Sequence, residues 1–180
     1  MKYLYVGATP EVEPAAFANV RACVEREFGV PVREMQLPAV DFAYDANRRQ
    51  YASIAVLEMV ARLCPAGAVK LLAVTERDLF IPVLTFVFGH AQLGGRAAVI
   101  SLARLRQEFY GLPANREALF ERTRKEALHE TGHAFGLVHC ADARCAMSLA
   151  TGVRQIDSKE AAFCAACRAR LRAPLGRVNS

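Results

Sequence analysis

No stretch of this 180-residue sequence reaches the roughly 18 consecutive apolar residues of a membrane-spanning helix. Met1 to Gly7 also hold too short an apolar stretch for a secretion signal. Internal repeats, low-complexity tracts and long linkers are missing too. Neither sign of charge dominates, with 23 basic and 18 acidic side chains and a net charge of +5. With 53% apolar and 23% charged residues, disordered and collagen-like chains are excluded. The expectation is a cytoplasmic globular chain with a sizeable core.

What is present is unevenly placed. Residues 141 to 180 hold seven basic and three acidic side chains, so four of the five net positive charges lie there. Six cysteines in a chain read as cytoplasmic argue for metal ligation before disulfides, because that compartment keeps thiols reduced. Four of them fall between Cys140 and Cys167, and three of the four histidines between His129 and His139. The metal-binding side chains are thus packed into 39 residues.

The first half alternates strand and helix patterns. Lys2 to Val6, Val32 to Leu37, Val69 to Val74, Leu84 to Phe88 and Ala97 to Leu102 read as strands, with Gly89 to Gly95 as a connecting stretch. Phe17, Val20, Val24 and Phe28 recur at helical spacing, as do Ile54, Leu57, Ala61 and Cys64. These patterns predict an α/β layer of four or five strands. Cys23 and Cys64 read as buried fillers, and His90 as an exposed loop or edge residue. A longer helix is predicted from an Asn115 N-cap to a Gly136 terminus.

That helix carries His129-Glu130-Thr131-Gly132-His133, an H-E-x-x-H whose two imidazoles share one helix face. Gly136 and His139 extend it to H-E-x-x-H-x-x-G-x-x-H, where the glycine lets the chain turn and deliver a third imidazole. Average residue usage gives this pattern by chance in about one of 10⁵ chains of this length. Three neutral nitrogen ligands describe a catalytic zinc site, since a fourth position stays open. Lewis-acid activation of a water and of a carbonyl, with Glu130 as general base, is the chemistry such a site offers.

Cys140 and Cys145, then Cys164 and Cys167, have the paired spacing of a closed four-thiolate zinc site. Asp157 and Glu160 read as a capping box for a helix that carries Cys164 and Cys167 on one face. Arg168, Arg170 and Arg172 would offset the charge of the metal-bound thiolates. Two zinc ions per chain are expected, one catalytic and one structural.

These residues together resemble the archaemetzincins, a family of metzincin-like metallopeptidases. Their signature is the extended histidine motif followed by C-x4-C-x-M and then C-x-x-C. His129, Glu130, His133, Gly136, His139, Cys140, Cys145, Met147, Cys164 and Cys167 occupy its positions. Phe86-Val87-Phe88-Gly89 with Ala91 also looks like the family's strand region. The 16 residues between Met147 and Cys164 are about one fewer than the family pattern has, a difference a loop absorbs.

The resemblance implies a single α/β (α+β) metzincin-like domain over residues 1–180. Its twisted mixed sheet would carry an antiparallel edge strand within Phe86 to Gln92, where an extended peptide could pair. Residues 1–139 would hold the sheet and active-site helix, and 140–180 the Met-turn and four-cysteine site. Met147 would be the Met-turn residue, an apolar floor beneath the zinc; a plain core methionine predicts much the same sequence. Leu149 stands where some metzincins place a tyrosine ligand. The implied activity is zinc-dependent hydrolysis of peptide or protein substrates, with no membrane partner.

Two rivals share the spacing. A catalytically inactive or latent zinc-stabilised interaction or nucleic-acid-binding module predicts salt-dependent binding through Arg168, Arg170 and Arg172, and indifference to Glu130. A zinc hydrolase of non-peptide amides is the other. Nucleic acid is the disfavoured partner, and no acidic residue stands out to hold a free substrate amine.

Overall fold

Three β-rich segments form the centre of the fold: β1 (Tyr3–Ala8), β5 (Ala68–Thr75) and β8 (Ala97–Ser101). The computed structural model describes residues 2–179. With β2 (Val32–Gln36) and β7 (Gly89–Ala91), they make a mixed sheet in the order β2-β1-β5-β8-β7. Every pairing is parallel except β7 with β8, which is antiparallel and lies at the edge. A smaller sheet joins β3 (Tyr44–Asp45), β4 (Gln50–Ala52) and β6 (Leu79–Phe80).

The central strands are apolar at nearly every position because helices cover both faces. Alternation then sorts their side chains. Leu72, Val74, Ala98 and Ile100 face the core shared with α1 (Pro14–Phe28) and α3 (Arg116–Ala134). Leu71, Ala73, Ala97 and Val99 face the core under α2 (Ser53–Leu63). Cys23 and Cys64 are buried, one in each core. No helix among the described residues is long and apolar enough to cross a membrane.

α3 begins where Asn115 Oδ1 accepts a hydrogen bond from Ala118 N at 2.9 Å. It ends at Ala134, and Gly136 takes a left-handed φ of 93° that turns the chain back. Its buried set includes Arg122, Lys125, Glu126, His129 and Glu130. So many buried polar groups on one helix mark a site rather than a plain core element.

Two expectations are corrected. Leu84 to Phe88 is not a strand; Val87 makes only an isolated bridge to Leu79, and the edge strand lies at Gly89–Ala91. Pairing with β8 decides this in spite of the weak β propensity of Gly-His-Ala. Nor do Asp157 and Glu160 cap a helix carrying both cysteines. Asp157 ends inside α4 (Val153–Ser158), and α5 begins after Cys164, at Ala165–Asn179. Arg122 takes both Asp157 carboxylate oxygens, at 2.7 and 2.8 Å, which removes Asp157 as a cap.

Candidate active site

α3 places His129 and His133 one turn apart, and the reversal at Gly136 brings His139 beside them. The three rings lie with centroids 4.6 to 5.3 Å apart. His129 Nδ1 is 2.8 Å from Ala146 O, and His133 Nδ1 is 2.7 Å from Leu137 O. A carbonyl oxygen only accepts, so both Nδ1 atoms carry the proton. In the neutral rings the Nε2 atoms then present bare lone pairs, and these stand 3.1 Å apart. Two facing lone pairs repel unless they share a cation. Burial lowers the pKa of all three imidazoles, favouring the neutral form a metal needs. One ligand atom from each histidine lies within 4.8 Å of the others, so the set fits a single ion.

Glu130 follows His129 and is buried. Burial, reinforced by the Glu126 carboxylate one turn earlier, raises its pKa well above the ordinary range, while Lys159 pulls it back. Lys159 Nζ lies 3.6 Å from Glu126 Oε1, with both side chains almost wholly buried, and 3.5 Å from Ala146 O. The Ala146 carbonyl thus meets both His129 and Lys159. This ion pair leaves one signal in the sequence, Glu126 at i−4 to Glu130 on the same helix face, and Lys159 leaves none.

Met147 is fully buried. A β-carbon at Gly132, the fourth residue of the H-E-x-x-H, would lie 2.5 Å from Met147 Sδ. A helix-interior glycine costs about 1 kcal/mol relative to alanine, and here the cost leaves room for the thioether. Leu149 is exposed on the same turn.

A cavity of about 630 Å³ joins these groups, lined by the three histidines, Glu126, Glu130 and Lys159 together with Leu84, Leu93, Val138 and Leu149. Along its rim runs β7. Phe88 O accepts from Ser101 N and Gln92 N donates to Ala97 O, so the alternation turns the main-chain groups of Gly89 and Ala91 away from β8. His90 faces the opposite side of the sheet, half-buried, with Nδ1 3.0 Å from Ser53 Oγ. It is therefore an edge residue, but a tethered one.

Cys140, Cys145, Cys164 and Cys167 also converge, all four sulfurs lying within 4.8 Å of one another, and none forms a disulfide. Cys145 Sγ accepts hydrogen bonds from Met147 N at 3.4 Å and Cys164 N at 3.3 Å, which offset part of the burial that raises its pKa. The Cys167 backbone N–H leads the influences that lower the Cys164 thiol to about 7. Cys140 N donates to Met147 O at 2.9 Å, which ties this cluster to the residue packed against Gly132 of α3. Arg168 pairs with Glu27 at 3.1 Å, so part of its charge is already met within the chain.

Residues 34–173 match Peptidase family M54. The chain is 44% identical over 138 residues to an archaemetzincin of Methanocaldococcus jannaschii, covering 75% of each chain. Its fold is similar to the crystal structure of an archaemetzincin from Methanopyrus kandleri, with a TM-score of 0.86 and 33% identity over 98% of this chain and 96% of that one. It is also similar to a zinc-dependent peptidase from Methanocorpusculum labreanum, with a TM-score of 0.84 and 29% identity over 93% of this chain and 99% of that one.

Proposed function

The chain belongs to peptidase family M54, with the archaemetzincins, and from that premise we propose that this zinc metallopeptidase works through His129, Glu130, His133 and His139. His129, His133 and His139 hold the catalytic zinc, and Cys140, Cys145, Cys164 and Cys167 hold a second, structural one. The observation that carries the reading is the pair of unprotonated Nε2 atoms at 3.1 Å, each locked by a main-chain carbonyl behind it. Bound zinc supplies Lewis-acid activation of a water and of the scissile carbonyl.

The remaining work falls to this chain. Glu130 takes the proton of the attacking water and returns it to the leaving amine; burial raises its pKa well above the ordinary carboxylate range, which makes it a stronger base. The outward main-chain groups of Gly89 and Ala91 bind an extended substrate as an added strand, which lays the scissile bond across the histidines. Leu84, Leu93, Val138 and Leu149 line the walls and favour apolar side chains on the substrate. Met147 fills the floor beneath the imidazoles. Residues 1–139 and 140–180 act as one catalytic domain, because the Ala146 carbonyl and the Met147 side chain from the second part complete the site on α3.

Hydrolysis of a mixed peptide library by the zinc-loaded chain tests this. Cleavage that a chelator abolishes and zinc restores is expected, with apolar residues enriched beside the cut bond. Hydrolysis confined to non-peptide amides would overturn the proposal.

A further inference from the structure

Gly89 is not a glycine of conformational need. Among the described residues, left-handed φ angles occur at Arg49, Gly29, Gly94, Gly111 and Gly136, and Gly89 sits in an ordinary strand that any residue adopts. Glycine is depleted in strands, so its presence needs another cause. A β-carbon built at Gly89 would lie 2.5 Å from Glu130 Cγ, 2.7 Å from Oε1 and 2.8 Å from Cδ. Unstrained carbon contacts fall at about 3.5–4.0 Å, so the Glu130 side chain occupies the space any other residue would need.

No described residue donates a hydrogen bond to the Glu130 carboxylate, and its close charges, Glu126 and Lys159, act through space. The bare Cα of Gly89 on the edge strand leaves the space that this rotamer fills. The main-chain groups of the same residue face away from β8 toward the cleft.

We infer that Gly89 is a positioning residue, whose missing side chain seats the Glu130 carboxylate and sets it in register with the strand that receives substrate. The inference rests on Glu130 being the base. A methyl group at position 89 pushes the carboxylate off its line while leaving the backbone, the histidines and the cysteines in place.

Wild type, Gly89→Ala, Glu130→Ala and the double variant test it, each measured for zinc per chain, thermal unfolding, and kcat and KM. In Gly89→Ala the zinc content is unchanged and kcat falls about 10²-fold, the cost of a misplacement near 1 Å, while KM stays within about threefold. Gly89→Ala lowers the unfolding temperature of the wild type but not that of Glu130→Ala, where the shortened side chain leaves room for the methyl. Should Gly89→Ala fail to fold, recovery of a folded double variant is the same expected result. Full kcat in Gly89→Ala, an equal loss of stability in both backgrounds, or a double variant that also fails to fold overturns the inference. The unfolding arm needs no turnover, so it separates failure of this contact from failure of Glu130 as base.

Discussion

Replacing Asp157 by alanine strands a buried guanidinium, and the cost can be worked from the structure. Arg122 is 8% exposed at its side chain; it donates to Asp157 at 2.7 and 2.8 Å and to Leu105 O at 2.9 Å. Two hydrogen bonds to a charged group, at about 1.5–3 kcal/mol each, would give about 3–6 kcal/mol. Asp157 is 47% exposed, so solvent already screens its side of the pair. Discounting by half leaves about 1.5–3 kcal/mol. Urea unfolding of the zinc-saturated protein should show that loss for Asp157→Ala. Adding Arg122→Met should recover at least about 1 kcal/mol, because the unpaired charge is then gone. Zinc retention at the histidine site should also weaken, since α4 leads directly into Lys159. A loss below about 0.5 kcal/mol, or a double variant less stable than the single, would mean that Asp157 does not hold the buried Arg122 charge.

Other outcomes follow from the same contacts. Lys159→Met leaves the Glu126 carboxylate buried without its counter-charge and should cost about 3–5 kcal/mol in denaturant unfolding, most of it restored by adding Glu126→Leu. Cys145→Ser should reduce the bound zinc to one ion per chain, read by metal analysis, with faster hydrogen exchange in residues 140–167. Glu11 bears on pH. Partial burial alone would raise its pKa, but hydrogen bonds from Thr9, its own N–H, Thr75 and the Glu76 N–H outweigh burial and hold it below the ordinary value. A depressed carboxyl pKa contributes stability above its unfolded value of about 4.3, and that stability is lost as pH falls through the folded value. Glu11→Gln should therefore lower stability at pH 7 and flatten the acid limb of a stability-against-pH curve.

The histidine and cysteine clusters were legible in the sequence because ligands on one helix or one tight turn must keep fixed spacings. His129 and His133 at i,i+4 and the left-handed Gly136 need no knowledge of the rest of the fold. The central strands were legible for a similar reason: Val69 to Val74 and Ala97 to Leu102 are apolar on both faces, as buried parallel strands are. Contacts between distant segments left no such trace. The β-prone Leu84 to Phe88 run is not a strand, and Gly89–Ala91 is one because β8 lies alongside. Asp157 has the look of a helix cap, yet an arginine 35 residues earlier takes its carboxylate. Gly89 and Gly132 look like dispensable glycines until Glu130 and Met147 are placed against them.

In the proposed reaction Glu130 acts on the substrate while the histidines and cysteines hold two metal ions. The most direct measurement is peptide cleavage and zinc content for Glu130→Ala beside the wild type. Two zinc ions per chain are expected in both proteins, with a fall in kcat of about 10²–10⁴-fold in the variant. Cleavage at the wild-type rate with Glu130 gone would exclude it as the base, because the other carboxylate lining the cleft, Glu126, is already paired with Lys159.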